Sequence, residues 1–231
     1  RNGASRLPLC REILKKIWLF PIRRHYYEPL FDYRGCEKTL QSADRSLPGI
    51  DFRIEQQKKV LHCLEYGHEI TAKLVEGVFK KIHQGHVTSF AGGDADILYQ
   101  MIRYKKPRRF YEIGSGASTD IAKVALAQNC SEDSRYECDH ICIDPFHPAD
   151  KTKEAVTNFQ VIEKPVEEVE MSLFSDLVEN DILFIDSSHI IRPGGDVLRE
   201  YLEILPSLNA GVVVHIHDIF SPKHYLQRWM T

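Results

Sequence analysis

The sequence predicts an α/β fold: a mainly parallel sheet with helices on both faces, preceded by an N-terminal helical segment. Three observations carry this. From residue 109 onward, short apolar runs alternate with stretches of helical length. That is the βα repeat that lays strands side by side under a cover of helices. The first run, RFYEI at 109–113, leads into Gly-Ser-Gly at 114–116 and then STDIAKVALAQ. Strand, glycine turn and helix together bring backbone N–H groups to a nucleotide-like ligand. Lastly, each apolar run ends on polar residues, a pattern that packing alone does not require.

Taken in order, REILKKIWLF at 11–20 reads as an amphipathic helix stopped by Pro21. The stretch 11–31 also mixes Arg23, Arg24 and His25 with Tyr26 and Tyr27. A helix packed on the domain with a solvated basic face is the favoured reading, and a peripheral membrane or protein contact is the alternative. Ile54, Val60, Leu61, Leu64, Ile70, Leu74, Val78 and Phe79 recur at helical spacing. They predict one or two helices over 51–83, broken near Gly67. A loop over 84–93 leads to a helix over 94–104 with Asp94 as N-cap. Strands follow at 110–113, 140–143, 159–162, 181–185 and 212–216, with helices near 118–128, 149–156, 170–178 and 195–205 between them. The division this suggests is an N-terminal extension over 1–87 and a ligand-binding domain over 88–231.

The 231 residues are 43% hydrophobic and 27% charged, with a net charge of -3. This is the composition of a soluble globular protein. It lacks the basic excess expected of a nucleic-acid binder. No apolar run reaches the roughly 18 to 20 residues of a membrane span, and the start lacks a signal-peptide pattern. A cytoplasmic location is the expectation. The six cysteines include no C-x-x-C pair, which argues against a zinc knuckle. Cys142 fits a core strand, and a disulfide between Cys130 and Cys138 is the less favoured reading.

In an open parallel sheet the ligand lies beyond the carboxyl ends of the strands. Those ends carry Glu112, Gly114, Ser115 and Gly116; Asp144; Lys164 and Pro165; Asp186, Ser187, Ser188 and His189; and His215, His217 and Asp218. A carboxylate at Glu112 repels a pyrophosphate but suits an amino group and a sulfonium. That favours S-adenosylmethionine (SAM) over NAD, as does the absence of a third glycine from G-S-G-A-S-T. Asp144 fits a carboxylate accepting both ribose hydroxyls, with a local cap beside Pro145 as the competing reading. His215, two residues before His217 on the same strand face, reads as a core histidine. His140 and the remaining histidines read as surface or loop residues.

E-I-G-S-G at 112–116, D-P at 144–145, D-I-L-F-I-D-S-S-H at 181–189 and G-V-V-V-H-I-H-D-I-F at 211–220 resemble the class I SAM-dependent methyltransferases. They are closest to a bacterial-type subgroup with F-I-D-x-S-H and H-D-I motifs, as is F-A-G-G-D-A-D-I-L-Y at 90–99. The resemblance covers roughly residues 88 to 229 and implies a Rossmann-like fold with SAM as cofactor. It implies that Glu112 meets the methionine amino group, directly or through water. The turn Gly114, Ser115 and Gly116 would approach the cofactor, and Asp144 would hold the ribose. The adenine would lie between Pro145–Phe146 and Pro165–Val166, recognised by backbone groups because Lys164 replaces the family's acid or amide. Asp186, His189, His217 and Asp218 would face the cofactor's methyl and its acceptor, a small-molecule or glycan-like hydroxyl. Two mechanisms fit. Either His189 or His217, with Asp186, takes the acceptor proton, or Asp186, His217 and Asp218 hold a divalent metal such as Mg. Tyr225 and Trp229 could line the substrate mouth.

The family's sheet has two further strands after the fifth, and a chain ending at Thr231 predicts that these final strands are absent. A second chain completing the sheet makes a homo-oligomer the corresponding expectation. Two other readings compete: a non-catalytic binding or scaffold protein on the same fold, and an NAD-dependent oxidoreductase.

Overall fold

The computed structural model describes residues 13, 14, 16, 17, 46–70, 90, 92–146, 158–220, 222 and 223. The chain divides into two compact units, 1–50 with 220–231, and 51–219. In the first, Ile13, Leu14 and Lys16 are helical, and the Ile50 N–H closes a turn on the Leu47 carbonyl at 2.9 Å. The rest of the predicted 11–20 helix, the basic aromatic stretch, the 149–156 helix and Tyr225 and Trp229 lie outside the described residues. No described helix is long and apolar enough to cross a membrane.

The second unit holds the sheet. Its elements are α1 (Ile54–Cys63), a 3₁₀ turn (Tyr66–Ile70), α2 (Gly93–Lys105), β1 (Arg109–Ile113), α3 (Ala117–Glu132), β2 (Asp139–Ile143), β3 (Asn158–Ile162), a 3₁₀ turn (Val166–Glu168), α4 (Met171–Ser175) and β4 (Ile182–Ile185). Then α5 (Asp196–Arg199) runs through a π-helical segment (Glu200–Ile204) into α6 (Leu205–Ser207), and β5 (Val213–Ile216) follows. The widening has a local cause. Pro206 has no N–H for the helix ladder, and its ring crowds the carbonyl one turn back.

All five strands are parallel, in the order β3-β2-β1-β4-β5. The chain builds outward from β1 and then returns to its other side with β4. The order therefore reverses at β1, the position where such sheets open a crevice. Side-chain alternation sorts the core into two layers. Phe110, Ile182 and Phe184 pack with Leu98 and Ile102 of α2 and Ile121 and Leu126 of α3. On the other face Tyr111, Ile113, Ile141, Ile143, Leu183 and Ile185 pack under Val166, Phe174, Leu177 and Ile204. Burial on both faces explains why β1, β2 and β4 read as continuous apolar runs; β3 and β5 are only partly buried.

Two polar ties brace this core. Arg103 is fully buried and donates to Glu69 (2.8 and 2.9 Å), to Glu132 and to Asn129, with its guanidinium 4.8 Å over the Tyr66 ring. It ties the Tyr66–Ile70 turn to α2 and α3, and the break after α1 falls at Leu64 and Glu65 rather than at Gly67. Asp181, 1% exposed, accepts the N–H groups of Arg108, Arg109 and Val178 at 2.8–3.1 Å. Two other expectations are corrected. Gly92, not Asp94, is the N-cap of α2. The 170–178 helix shortens to Met171–Ser175. Cys130 and Cys138 are both free thiols, each donating to a backbone carbonyl.

Candidate active site

The sheet ladder runs one rung past the strands and aligns the site. Asp144 N–H donates to Ile162 (3.1 Å), Gly114 N–H to Ile143, Asp186 N–H to Ile113 and His217 N–H to Ile185 (each 2.9 Å). Asp144, Gly114, Asp186 and His217 therefore stand side by side across four strands. Gly114 takes φ 93°, and a Cβ there would lie 2.1 Å from the Asp186 carbonyl oxygen. Only a glycine lets the turn press this closely on the end of β4.

A cleft of about 460 Å³ opens at these ends, within the usual range for small-ligand sites. Its lining includes Gly114, Ser115, Asp144, Pro145, Phe146, Pro165, Val166 and Asp186. Eight of the positions named from sequence as cofactor contacts thus meet in one cavity. Ser187, Ser188, Glu167, Arg192 and Asp196 complete the polar wall; of these the sequence pattern pointed only to Ser187 and Ser188, as polar residues at a strand end. Asp144 accepts from the Ser115 hydroxyl and from the Phe146 N–H (2.7 Å). Its carboxylate is thus both a local cap and part of the cleft wall.

Glu112 departs from its expected place. It is fully buried and absent from the cleft lining. Strand alternation turns it toward α3, where it accepts from Ser118 (3.4 Å) and Thr119 (3.2 Å) and pairs with His140 Nε2. Direct contact with a cofactor amino group is not what this arrangement offers. Thr119 Oγ1 also accepts the Gly116 N–H at 3.2 Å, so the Glu112 network braces the glycine turn from beneath. His140 is corrected with it. Expected at the surface, it is fully buried on β2, edge-on to Phe110 and Phe159. Its position in an apolar strand was the available signal; in the sheet it stands in register with Phe110 and reaches Glu112 diagonally.

Asp186 gathers the histidines. Its Oδ1 lies 3.3 Å from His189 Nε2 and 3.2 Å from His217 Nδ1. Burial pushes the Asp186 carboxyl upward, but bonds from His217 and His189 hold it below the usual carboxylate range. The same bond to Asp186 raises His217, against its burial. His217 is 5% exposed and His189 20%. The ligand atoms of Asp186, His189 and His217 converge within 4.8 Å, a set that differs from the Asp186, His217 and Asp218 expected from sequence. Asp218 sits 3.7 Å from His217 Nδ1, in a left-handed turn at φ 55°. Asp94, on α2, lies 3.6 Å from His217 Nε2; only the fold brings it there. His215 is half-buried edge-on to Phe184, and burial lowers it to about 4.

Two more carboxyls belong to this region, Asp196 in the cleft wall and Glu200 behind it. Ser188 donates to Asp196 through its N–H (2.8 Å) and hydroxyl (2.7 Å). Despite burial, these bonds hold Asp196 below the usual range. Ser187 donates to Glu200 at 3.1 Å. Glu200 is fully buried, and burial, opposed by Ser187, lifts it to about 7, helped by the charges of Asp196 and Glu167.

Comparison with known proteins agrees with this geometry. Residues 111–219 match the family model of a methyltransferase domain. The matched span runs from within β1 to just past β5 and contains every strand-end residue named above. This match supports a methyltransferase domain over that span. A protein from Archaeoglobus fulgidus, itself uncharacterised, is 26% identical over 168 residues, covering 68% of this chain and 74% of its own length. A crystal structure from Plasmodium falciparum, described as a protein-L-isoaspartate O-methyltransferase in complex with S-adenosyl-L-homocysteine, aligns at 13% identity and a TM-score of 0.36. The alignment covers 59% of this chain and 65% of that one. At that score the likeness carries no argument here.

Proposed function

We propose that the cleft binds SAM and that the chain transfers its methyl group to a hydroxyl of a small-molecule or glycan-like acceptor. The observation that carries this is the sign of the wall. Among the described residues, Asp144, Glu167, Asp186 and Asp196 line the cleft against a single cation, Arg192. Four carboxylates suit a ligand bearing an ammonium and a sulfonium, and they oppose the pyrophosphate of NAD. The apolar faces of Pro145, Phe146, Pro165 and Val166 suit an adenine, and Asp144 suits ribose hydroxyls. The fit to SAM therefore rests on the cleft's own residues rather than on Glu112.

SAM supplies an electrophilic methyl on a sulfonium. The chain must hold the acceptor oxygen in line behind that methyl and take up the acceptor proton. The Asp186 pair with His189 and His217 is the group placed to do so. His189, the more exposed imidazole, takes the proton; Asp186 orients it and offsets the charge that forms, as a carboxylate does for a catalytic histidine. His217, nearly buried, fixes Asp186 from the other side. A second reading comes from the convergence of Asp186, His189 and His217. Two imidazoles and a carboxylate form a donor set for a divalent ion that would acidify the acceptor hydroxyl instead.

Calorimetry with SAM, S-adenosylhomocysteine and NAD tests the cofactor: heat with the first two alone is expected, and heat with NAD alone would overturn the assignment. Labelled SAM offered to an acceptor panel then tests transfer. SAM binding with no labelled product from any acceptor favours the non-catalytic reading. EDTA separates the mechanisms, because turnover that survives chelation but not His189→Ala leaves the imidazole as the base.

A further inference from the structure

A buried carboxyl is costly to keep. Glu200 has no exposed surface, and its Oε1 finds no hydrogen-bond partner among the described residues. An apolar side chain of similar volume would be neutral or more stable there. Its one bond accepts the Ser187 hydroxyl at 3.1 Å, and Ser187 lines the cleft. With its hydrogen committed to Glu200, Ser187 Oγ presents lone pairs only. That part of the wall therefore accepts hydrogen bonds and does not donate them.

Its place in the cleft says which part of a ligand arrives there. Asp144 and the apolar pairs at 145–146 and 165–166 belong to the β2 and β3 ends. Ser187 follows Asp186, whose carbonyl oxygen lies 2.1 Å from where a Cβ on Gly114 would stand. If ribose and adenine occupy the β2 and β3 side, the amino-acid end of the cofactor falls to the β1 and β4 ends. The acid expected to meet its ammonium, Glu112, is sealed beneath the glycine turn.

We propose that Glu200 is a positioning residue that acts through Ser187, orienting the hydroxyl so that Ser187 Oγ accepts from the ammonium of the bound cofactor. This rests on the SAM reading above. Asp186, next in the wall, supplies the opposing charge.

The test uses the full chain and two ligands that share the adenosine and thioether: S-adenosylhomocysteine, which carries the ammonium, and 5′-methylthioadenosine, which lacks the amino-acid part. Ser187→Ala and Glu200→Leu should each weaken S-adenosylhomocysteine by about ten-fold or more and leave methylthioadenosine within about two-fold, a range set by ordinary additivity error. The double variant should be no worse than either single one. Glu200→Gln, which keeps an oxygen for Ser187, should retain most of the affinity. Glu200→Leu should melt no lower than wild type. Equal weakening of both ligands, no weakening of either, or a loss of affinity that tracks a fall in Tm overturns the proposal. Wild-type protein that binds neither ligand overturns the SAM reading and this inference with it, whereas wild-type binding without the ligand-selective loss overturns this inference alone.

Discussion

Gly114 and Gly116 look equivalent in the motif G-S-G, yet the structure assigns them different work. Gly114→Ala places a Cβ 2.1 Å from the Asp186 carbonyl oxygen at a backbone φ of 93°. The obstacle is backbone, so no rotamer relieves it. The ends of β1 and β4 must part by about an ångström. Overpacking of this kind costs about 1–3 kcal/mol, and a left-handed backbone costs about 1–2 kcal/mol more. The sum, about 2–5 kcal/mol, is a large share of the roughly 5–15 kcal/mol that holds a domain folded. At Gly116 the backbone is extended, with φ 172°, and no described residue lies within 4 Å of the position a Cβ would take. Gly116→Ala should fold with a change of about 1 kcal/mol or less, the range of a Gly/Ala exchange where no special backbone is needed. Urea unfolding followed by circular dichroism reads both, as a shift of the midpoint at constant slope. The reasoning is refuted if Gly114→Ala is as stable as wild type, or if both variants lose the same amount.

Other consequences follow from the buried carboxyls. Glu200 titrates near 4.5 when unperturbed and at about 7 in the fold. Between those pH values the unfolded chain releases a proton that the folded chain keeps, so stability falls as pH rises, by about 3 kcal/mol over the window. Below it and above it this group adds no pH dependence. Glu200→Gln should remove that fall, so the stability gap between variant and wild type should widen from pH 4.5 to 7; parallel curves would show that Glu200 titrates normally. Asp181→Ala strips three N–H groups and Arg109 of their acceptor and should cost about 3–5 kcal/mol, while cofactor affinity, read at the opposite end of the sheet, should hold. Asp144→Ala should weaken SAM by about ten-fold or more, the loss of a charge-assisted bond. Unchanged affinity in calorimetry would remove Asp144 from the ribose site.

Much of the fold was legible because parallel strands buried on both faces must be apolar throughout. The runs FYEI, HICI, FQVI and ILFI each became a strand within a residue or so of the expected bounds. The glycine turn was legible because a positive φ leaves its mark in residue type. Charged residues were harder, since a carboxylate looks the same in sequence whether it faces a ligand or a core. Glu112 was assigned to the cofactor and instead pairs with His140. Arg103 and Asp181 carried no sign of burial. Glu200 was one acid in a helical stretch, and only the packing of that helix on the end of β4 sets it behind Ser187.

The sequence by itself determined the α/β architecture, the position of the glycine turn and the set of polar residues at the strand ends. These depend on local pattern: apolar runs, turn residues and their spacing. Only the tertiary structure decided which of those residues share a cavity and which way each one faces. It sealed Glu112 away, moved the acidic wall to Glu167, Asp186 and Asp196, brought Asp94 beside His217, and joined His189 to Asp186 and His217. The reason is that facing is fixed by pleat alternation, register and helix docking, each a contact between segments that are distant in the chain.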